Sequence, residues 1–216
     1  GVHSGDATLV LPPQTLYLTT IRRTREIAQA LARELAITGP FNVQFVAKNN
    51  VVKVIECNLR ASRSLPFVSK VLGVNFAAEA ARRMLGIRNE VRANPLELEY
   101  VGVKAPMFSY SRLLGADPLP GVEMASTGEV GCIASGMHEA LLLSLLSTGF
   151  RVPTRGVLLS LGPAADKFSF AEEAAAIRDD LKLPMFATPG TAGALREIGV
   201  ETRIVGKSAE QSAVEI

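Results

Sequence analysis

The run Phe41-Asn42-Val43-Gln44-Phe45-Val46-Ala47, then Lys48-Asn49-Asn50, then Val51-Val52-Lys53-Val54-Ile55-Glu56-Cys57-Asn58 decides how this chain reads. Two apolar, β-branched stretches flank a short polar break, which is the pattern of a β-hairpin. Side chains alternate between the faces of a strand. Gln44 therefore shares a face with Asn42, and Glu56 shares one with Asn58. A turn at Asn49-Asn50 brings Gln44 almost opposite Glu56, so three oxygen-bearing side chains converge at one end of the pair. Cys57 falls on the other face, toward a core. Hard cations such as Mg²⁺ take oxygen ligands and usually keep phosphate oxygens in their shell. Arg60 and Arg63 follow at once, and guanidinium groups suit bidentate contact with phosphate or carboxylate. An anion held by arginines beside a metal-bound triphosphate is the layout that phosphoryl transfer to a small acid needs. The same residues also fit an exposed strand followed by a surface loop, and spacing does not choose between the two.

Outward from the hairpin, Gly1 to Asp6 reads as a glycine-bearing polar loop and Thr8 to Leu11 as a strand stopped by Pro12-Pro13. The helix expected from Thr20 to Ile37 carries an apolar stripe of Ile21, Ile27, Ala28, Leu31 and Leu35 and ends before Gly39-Pro40. Downstream, Asn58 to Pro66 is an Arg/Ser-rich loop. Pro66 to Leu72 and Phe76 to Leu85 are helical, split by Gly73. Asn89 to Glu97 connects to a strand at Leu98 to Met107. Phe108 to Glu123 reads as loop, Ser126 to Glu129 as a turn, and Met137 to Ser147 as a helix closed by Gly149. From Arg151 the pattern changes. Strands at Gly156 to Leu161, Met185 to Ala187 and Glu201 to Val205 alternate with helices at Phe170 to Leu183 and Thr191 to Ile198, the signature of a parallel α/β unit. The expected class is α/β, with an antiparallel-sheet domain over 1–150 and a small parallel domain over 151–216.

The bulk properties exclude several classes. The 216 residues carry 48% hydrophobic side chains and a formal net charge of +2, so no strong attraction to nucleic acid or anionic membrane is expected. Arg22, Arg23 and Arg25 share their segment with Glu26 and Glu34, as a solvated helix face does. Cys57 and Cys132 fit neither a zinc spacing nor a disulfide framework, which points to a reducing compartment. The apolar run Ala140 to Leu146 is far short of the roughly 18 residues that span a bilayer. No Ser, His, Asp set suggests hydrolysis, and His138 reads as a structural or capping residue.

A second candidate site lies at Ala187-Thr188-Pro189-Gly190-Thr191, between a strand and a helix. Glycine permits a tight turn, and hydroxyls and free N–H groups at a helix start can face an anion. Lys167 and Lys207 are placed in loops where they could add positive charge. A plain N-cap explains the same residues.

The sequence resembles the second synthetase half of carbamoyl phosphate synthetase, an ATP-grasp ligase. The resemblance rests on Gly1-Val2-His3-Ser4-Gly5-Asp6, on Gln44, and on Ile55-Glu56-Cys57-Asn58 through Arg63. It extends to Pro66-Phe67-Val68-Ser69-Lys70, Gly73-Val74 and Ser126-Thr127-Gly128-Glu129-Val130. It implies that Gln44, Glu56 and Asn58 hold Mg²⁺ or Mn²⁺ on ATP and that Gly1, Val2, His3 and Ser4 lie on the nucleotide. Arg60 and Arg63 would bind carbamate or its phosphate. This half would phosphorylate carbamate, which the other half makes from bicarbonate and ammonia, with a glutamine amidotransferase as subunit or fused domain. Leu59 stands where many bacterial members have Pro. Residues 151–216 are similar to the family's methylglyoxal-synthase-like regulatory domain, expected to continue past Ile216. There Ser160, Lys167, Thr188, Thr191 and Lys207 match positions that bind a nucleotide effector. Ala105 stands where ornithine-responsive members have an acidic residue, so ornithine is not expected to activate. Uridine nucleotides, phosphoribosyl pyrophosphate and N-acetylglutamate are the family's other effectors. The resemblance implies a role in pyrimidine or arginine biosynthesis and a cytoplasmic location, or a mitochondrial one for a urea-cycle type. The alternatives are another ATP-grasp carboxylate ligase, such as a biotin carboxylase relative, or a non-catalytic effector-binding module. The isolated stretch is expected to be inactive.

Overall fold

A computed structural model describes residues 3–87, 91, 93–111, 113, 115 and 121–206. The chain divides into two units, Gly1–Phe150 and Arg151–Ile216. The first unit carries β1 (Leu9–Leu11), α1 (Leu18–Glu34), β2 (Asn42–Lys48) and β3 (Val51–Asn58). It continues with α2 (Leu65–Leu72), α3 (Phe76–Met84), β4 (Val101–Phe108), β5 (Ser126–Ala134) and α4 (Met137–Ser147). The second carries β6 (Val157–Leu159), α5 (Ala164–Ser169), α6 (Ala171–Asp179), β7 (Met185–Ala187), α7 (Pro189–Glu197) and β8 (Arg203–Ile204). The α/β class expected from the sequence is present: two antiparallel sheets in the first unit, and a parallel sheet of order β6-β7-β8 in the second.

The hairpin closes through Asn49 and Asn50, both left-handed at φ 52° and 64°. Asn tolerates that region because its short amide can bond locally, and paired left-handed residues match the twist of the flanking strands. Thr20 of α1 is buried and donates to Asn50 Oδ1 at 2.8 Å, which fixes the turn against the helix. Helix α1 stops at Glu34, earlier than its apolar stripe predicts, because Ala36 turns left-handed.

The second antiparallel sheet has the order β1-β4-β5. Val101, Val103 and Ala140 form its buried cluster with α4. The buried Ser144 hydroxyl of α4 lies 2.9 Å from the Val103 carbonyl, adding a polar tie to that packing. On the other side, α2 presses onto β4 and β5 where glycines remove the side chain. A Cβ on Gly102 would stand 2.4 Å from a Val71 methyl, and one on Gly131 2.7 Å from the Phe67 ring.

Several expectations are corrected by the structure. Ser126 to Glu129 is not a turn but the start of β5, paired from Phe108↔Ser126 to Val101↔Ala134. Its Ser, Thr and Gly favour turns locally, and tertiary pairing overrides them. The helix expected at Phe170 to Leu183 is two helices that begin earlier, at Ala164 after Pro163, and end at Asp179. Proline suits the start of a helix because its missing N–H is no loss there. Lys167 consequently lies in α5, not in a loop. The strands expected at Gly156 to Leu161 and Glu201 to Val205 shrink to β6 and β8. The second unit's core is Leu159, Ala174, Met185, Ala187, Ala192, Leu195 and Val200.

Candidate functional site

Pairing places Gln44 opposite Glu56 and Asn42 opposite Asn58. This register is not the one a two-residue turn generates. From Lys48↔Val51 to Phe45↔Val54 the pairing is regular, and a strict ladder would set Gln44 against Ile55. A β-bulge between Gln44 and Phe45 absorbs the extra residue of β3. Opposed residues share a face, so the bulge moves Gln44 onto the face of Glu56. Glu56 is exposed, and Asn58 Nδ2 donates to its Oε1 at 2.9 Å. With its amide nitrogen engaged in that bond, Asn58 keeps its amide oxygen as an acceptor.

No group of three or more His, Cys, Asp or Glu suited to a metal occurs among the described residues. The donor set here is one carboxylate and amide oxygens. That set fits a hard cation carried mainly by phosphate and water, as Mg²⁺ usually is.

The two arginines separate. Arg60 is exposed and, among the described residues, donates to the neighbouring Ala61 carbonyl at 3.2 Å. Arg63 turns into the protein. Its Nη1 donates to the Ser126 carbonyl at 3.1 Å, and its Nη2 donates to the Gly5 carbonyl at 2.6 Å and to Ser126 Oγ at 2.7 Å. Both terminal nitrogens, expected to meet a bound anion, are taken up by backbone and hydroxyl.

Around Arg63 stands a set of charges that spacing did not single out. Glu129 Oε2 lies 3.2 Å from Lys104 Nζ and 3.5 Å from Arg63 Nε, and Lys104 is fully buried. Neither Glu129 Oε2 nor Arg63 Nε has a well-directed hydrogen bond, so these contacts are ionic. They border a cleft of about 320 Å³ between α2 and the sheet. Asp6 Oδ2 accepts from Ala125 N–H and Oδ1 from Ser126 N–H, each at 2.9 Å. The Ala125 bond leads, with Ser126 behind it, in lowering the Asp6 carboxyl to a pKa of about 2. A lysine inside the apolar run Val101-Gly102-Val103-Lys104-Ala105 was the available sequence signal: a charge in a central strand needs a buried partner.

The His3–Asp6 turn holds two of the residues expected to lie on the nucleotide, His3 and Ser4. His3 and Ser4 are exposed, and His3 Nδ1 accepts from Gly5 N–H at 3.0 Å. Gly1 and Val2 lie outside the described residues, as does Lys207. In the second unit, Lys167 Nζ comes within 3.3 Å of where a Cβ on Gly190 would sit, at the start of α7. Thr188 is buried. Thr191 is fully buried, with its hydroxyl accepting from Leu161 N–H at 3.1 Å and from the Thr188 hydroxyl at 3.3 Å. Ser160 is exposed. The structure thus brings Lys167 and Gly190 together and gives Thr191 an internal partner.

Comparison with known proteins fixes the class. Residues 1–91 match the family described as "Carbamoyl-phosphate synthase L chain, ATP binding domain". The relatives extend the match beyond it. The chain is 52% identical over 204 residues to "Multifunctional protein pyrABCN" of Emericella nidulans, covering 94% of this chain and 9% of that protein. It is 47% identical over 205 residues to "Multifunctional protein CAD" of Squalus acanthias, covering 95% and 9%. It is 51% identical over 167 residues to "Carbamoyl-phosphate synthase [ammonia], mitochondrial" of Homo sapiens, covering 74% and 11%. The chain belongs to the carbamoyl-phosphate synthase large-chain family. It spans about a tenth of the length of these relatives. No helix among the described residues is long and apolar enough to cross a membrane.

Proposed function

We propose that this chain supplies the metal-and-anion end of the site that phosphorylates carbamate with ATP, within a larger carbamoyl phosphate synthetase, and that residues 151–216 form its methylglyoxal-synthase-like effector domain. The observation that carries the first part is the bulged hairpin, which aims Gln44, Glu56 and Asn58 from one face. Those residues would hold Mg²⁺ (or Mn²⁺), which supplies charge neutralisation on the transferring phosphate. Gln44 and Glu56 also lie toward the nucleotide, and the exposed His3 and Ser4, after Gly1 and Val2, line its seat. Arg60, exposed and bound among the described residues to its own loop, is the guanidinium available to carbamate or its phosphate. Arg63 acts on the same site from behind, by fixing Gly5 and Ser126. Bicarbonate and ammonia are consumed elsewhere in the polypeptide, with glutamine amidotransfer supplying the ammonia, and the product serves pyrimidine or arginine biosynthesis in the cytoplasm or, for an ammonia-type enzyme, the mitochondrion. The isolated stretch is expected to make no carbamoyl phosphate.

The test is ATP formation from ADP and carbamoyl phosphate by the intact polypeptide. Glu56→Gln keeps shape and removes charge, and should lower the rate on the order of a hundredfold or more. Parental turnover in that variant rules out the metal role.

The effector reading is favoured by Lys167, whose Nζ stands 3.3 Å from where a Cβ on Gly190 would sit at the start of α7, so that a positive charge meets the N-terminal end of a helix. Thr188 and Ser160 border it, Thr191 shapes it from inside, and Lys207 is assigned to it by resemblance. Calorimetric titration with uridine monophosphate, uridine triphosphate and phosphoribosyl pyrophosphate should give binding to at least one and none to ornithine. Silence with all three phosphorylated compounds removes this reading.

A further inference from the structure

We propose that Lys104 is a positioning residue for the nucleotide: it holds the His3–Asp6 turn in place through the carbonyl of Gly5. The inference rests on reading that turn as part of the nucleotide's seat.

Lys104 has no exposed surface. An ammonium costs free energy in the interior unless it is paired, and an apolar side chain of similar length often packs there at lower cost. Packing alone is thus a poor account of a lysine here. What the ammonium has, and a methionine would lack, are its two contacts: Glu129 Oε2 at 3.2 Å and the Gly5 carbonyl at 3.4 Å.

The Gly5 carbonyl is the convergence point. It accepts from Arg63 Nη2 at 2.6 Å, lies 3.4 Å from Lys104 Nζ, and lies 3.3 Å from the Ser126 hydroxyl. A carbonyl has two lone pairs, so three donors around it over-determine its position. The next residue, Asp6, is clamped by two backbone N–H groups. The inner edge of the turn is therefore fixed from both sides, while His3 and Ser4 face outward.

Lys104 also acts through Glu129. That carboxylate is shared between Lys104 and Arg63 Nε. Without the lysine, Arg63 becomes its one remaining cation among the described residues. The attraction then draws Arg63 off Gly5 and Ser126. Removing Lys104 loosens two of the three contacts on the turn.

The experiment uses the intact synthetase polypeptide and the steady-state formation of ATP from ADP and carbamoyl phosphate. Lys104→Met should raise the KM for ADP about tenfold and change kcat less than about threefold, the pattern of lost ground-state binding. The double variant Lys104→Met/Glu129→Gln should return KM to within about threefold of the parent, because no carboxylate remains to pull Arg63 away. A lysine that only compensates the buried Glu129 charge predicts lower stability in the single variant, recovery of stability in the double variant, and a parental KM in both. Ser126→Ala removes the hydroxyl's contacts with the Gly5 carbonyl and with Arg63 Nη2 without removing a charge, and should raise KM about threefold. A folded Lys104→Met with parental KM overturns the proposal, as does a double variant no better than the single. If Lys104→Met fails to fold, parental KM in Ser126→Ala overturns it. A parent polypeptide with no such turnover sinks the functional reading, and this proposal with it; a working parent with an unmoved KM sinks this proposal alone.

Discussion

Two polar clusters in the first unit use the same residue types to opposite ends. On the hairpin, Gln44, Glu56 and Asn58 share a face on which Glu56 is exposed and the other two are half-buried, and Asn58 donates to Glu56. Around Gly5, Asp6, Arg63, Lys104, Ser126 and Glu129 spend their polar atoms on one another and on backbone. Exposure separates the roles. An exposed carboxylate keeps its hydration until a ligand arrives and costs the fold little. A buried one must be paired, and once paired it shapes the backbone around it. The arginines make the point within three residues of sequence: Arg60 stays with solvent, while Arg63 becomes a strut.

Breaking the buried cluster should have the largest effect on stability. Glu129→Ala leaves Lys104 with no carboxylate and should cost about 3 kcal/mol by urea denaturation. The hairpin counterpart, Glu56→Gln, should stay within about 0.5 kcal/mol of the parent. Equal losses from the two would mean that burial does not separate the two clusters. The same rule extends to the second unit. Thr191→Val fills the space but strands the Leu161 N–H, and should cost about 1–2 kcal/mol; a neutral outcome would return Thr191 to the list of side chains free to meet an effector. Smaller still is the turn. Asn50→Ala puts at φ 64° a side chain without the amide that eases that region, and loses the Thr20 bond, for about 1 kcal/mol. Asn50→Gly should recover part of that.

Asp6 gives the comparison a pH signature. Its carboxyl is held down to about 2 against an ordinary 3.8. A depressed folded value means that its contribution is present in full above the ordinary value and is lost as pH falls from about 4 toward about 2. Asp6→Asn should flatten the acid limb of the stability profile in that window, read by circular dichroism, and leave neutral pH less stable than the parent. A parental acid limb in the variant would show that the two N–H bonds to Asp6 contribute nothing.

Much of this was legible in the sequence because it is local. Alternating strands, the Asn49-Asn50 turn, the stripe of α1 and the change of pattern at Arg151 are carried by neighbouring residues. So was the inventory of the hairpin's oxygens. Chain pairing erased the turn predicted at Ser126–Glu129, since β4 supplied partners that local propensity cannot anticipate. Helix boundaries near Pro163 and Ala36 shifted for the same reason: ends depend on a residue or two of backbone, not on a repeating pattern.

The sequence by itself determined which side chains could serve: the oxygens of Gln44, Glu56 and Asn58, the guanidinium of Arg60, and the strands that carry them. Only the tertiary structure decided which of them meet. The bulge that sets Gln44 against Glu56 adds one residue to β3 that no alternation rule can locate, and a shift of one residue flips a side chain to the other face. The burial of Lys104 and the inward turn of Arg63 depend on residues far apart in the chain packing together, Gly5 with Ser126 and Lys104 with Glu129. Periodicity reports a neighbourhood along the chain, whereas the pairing of a charge is settled in space.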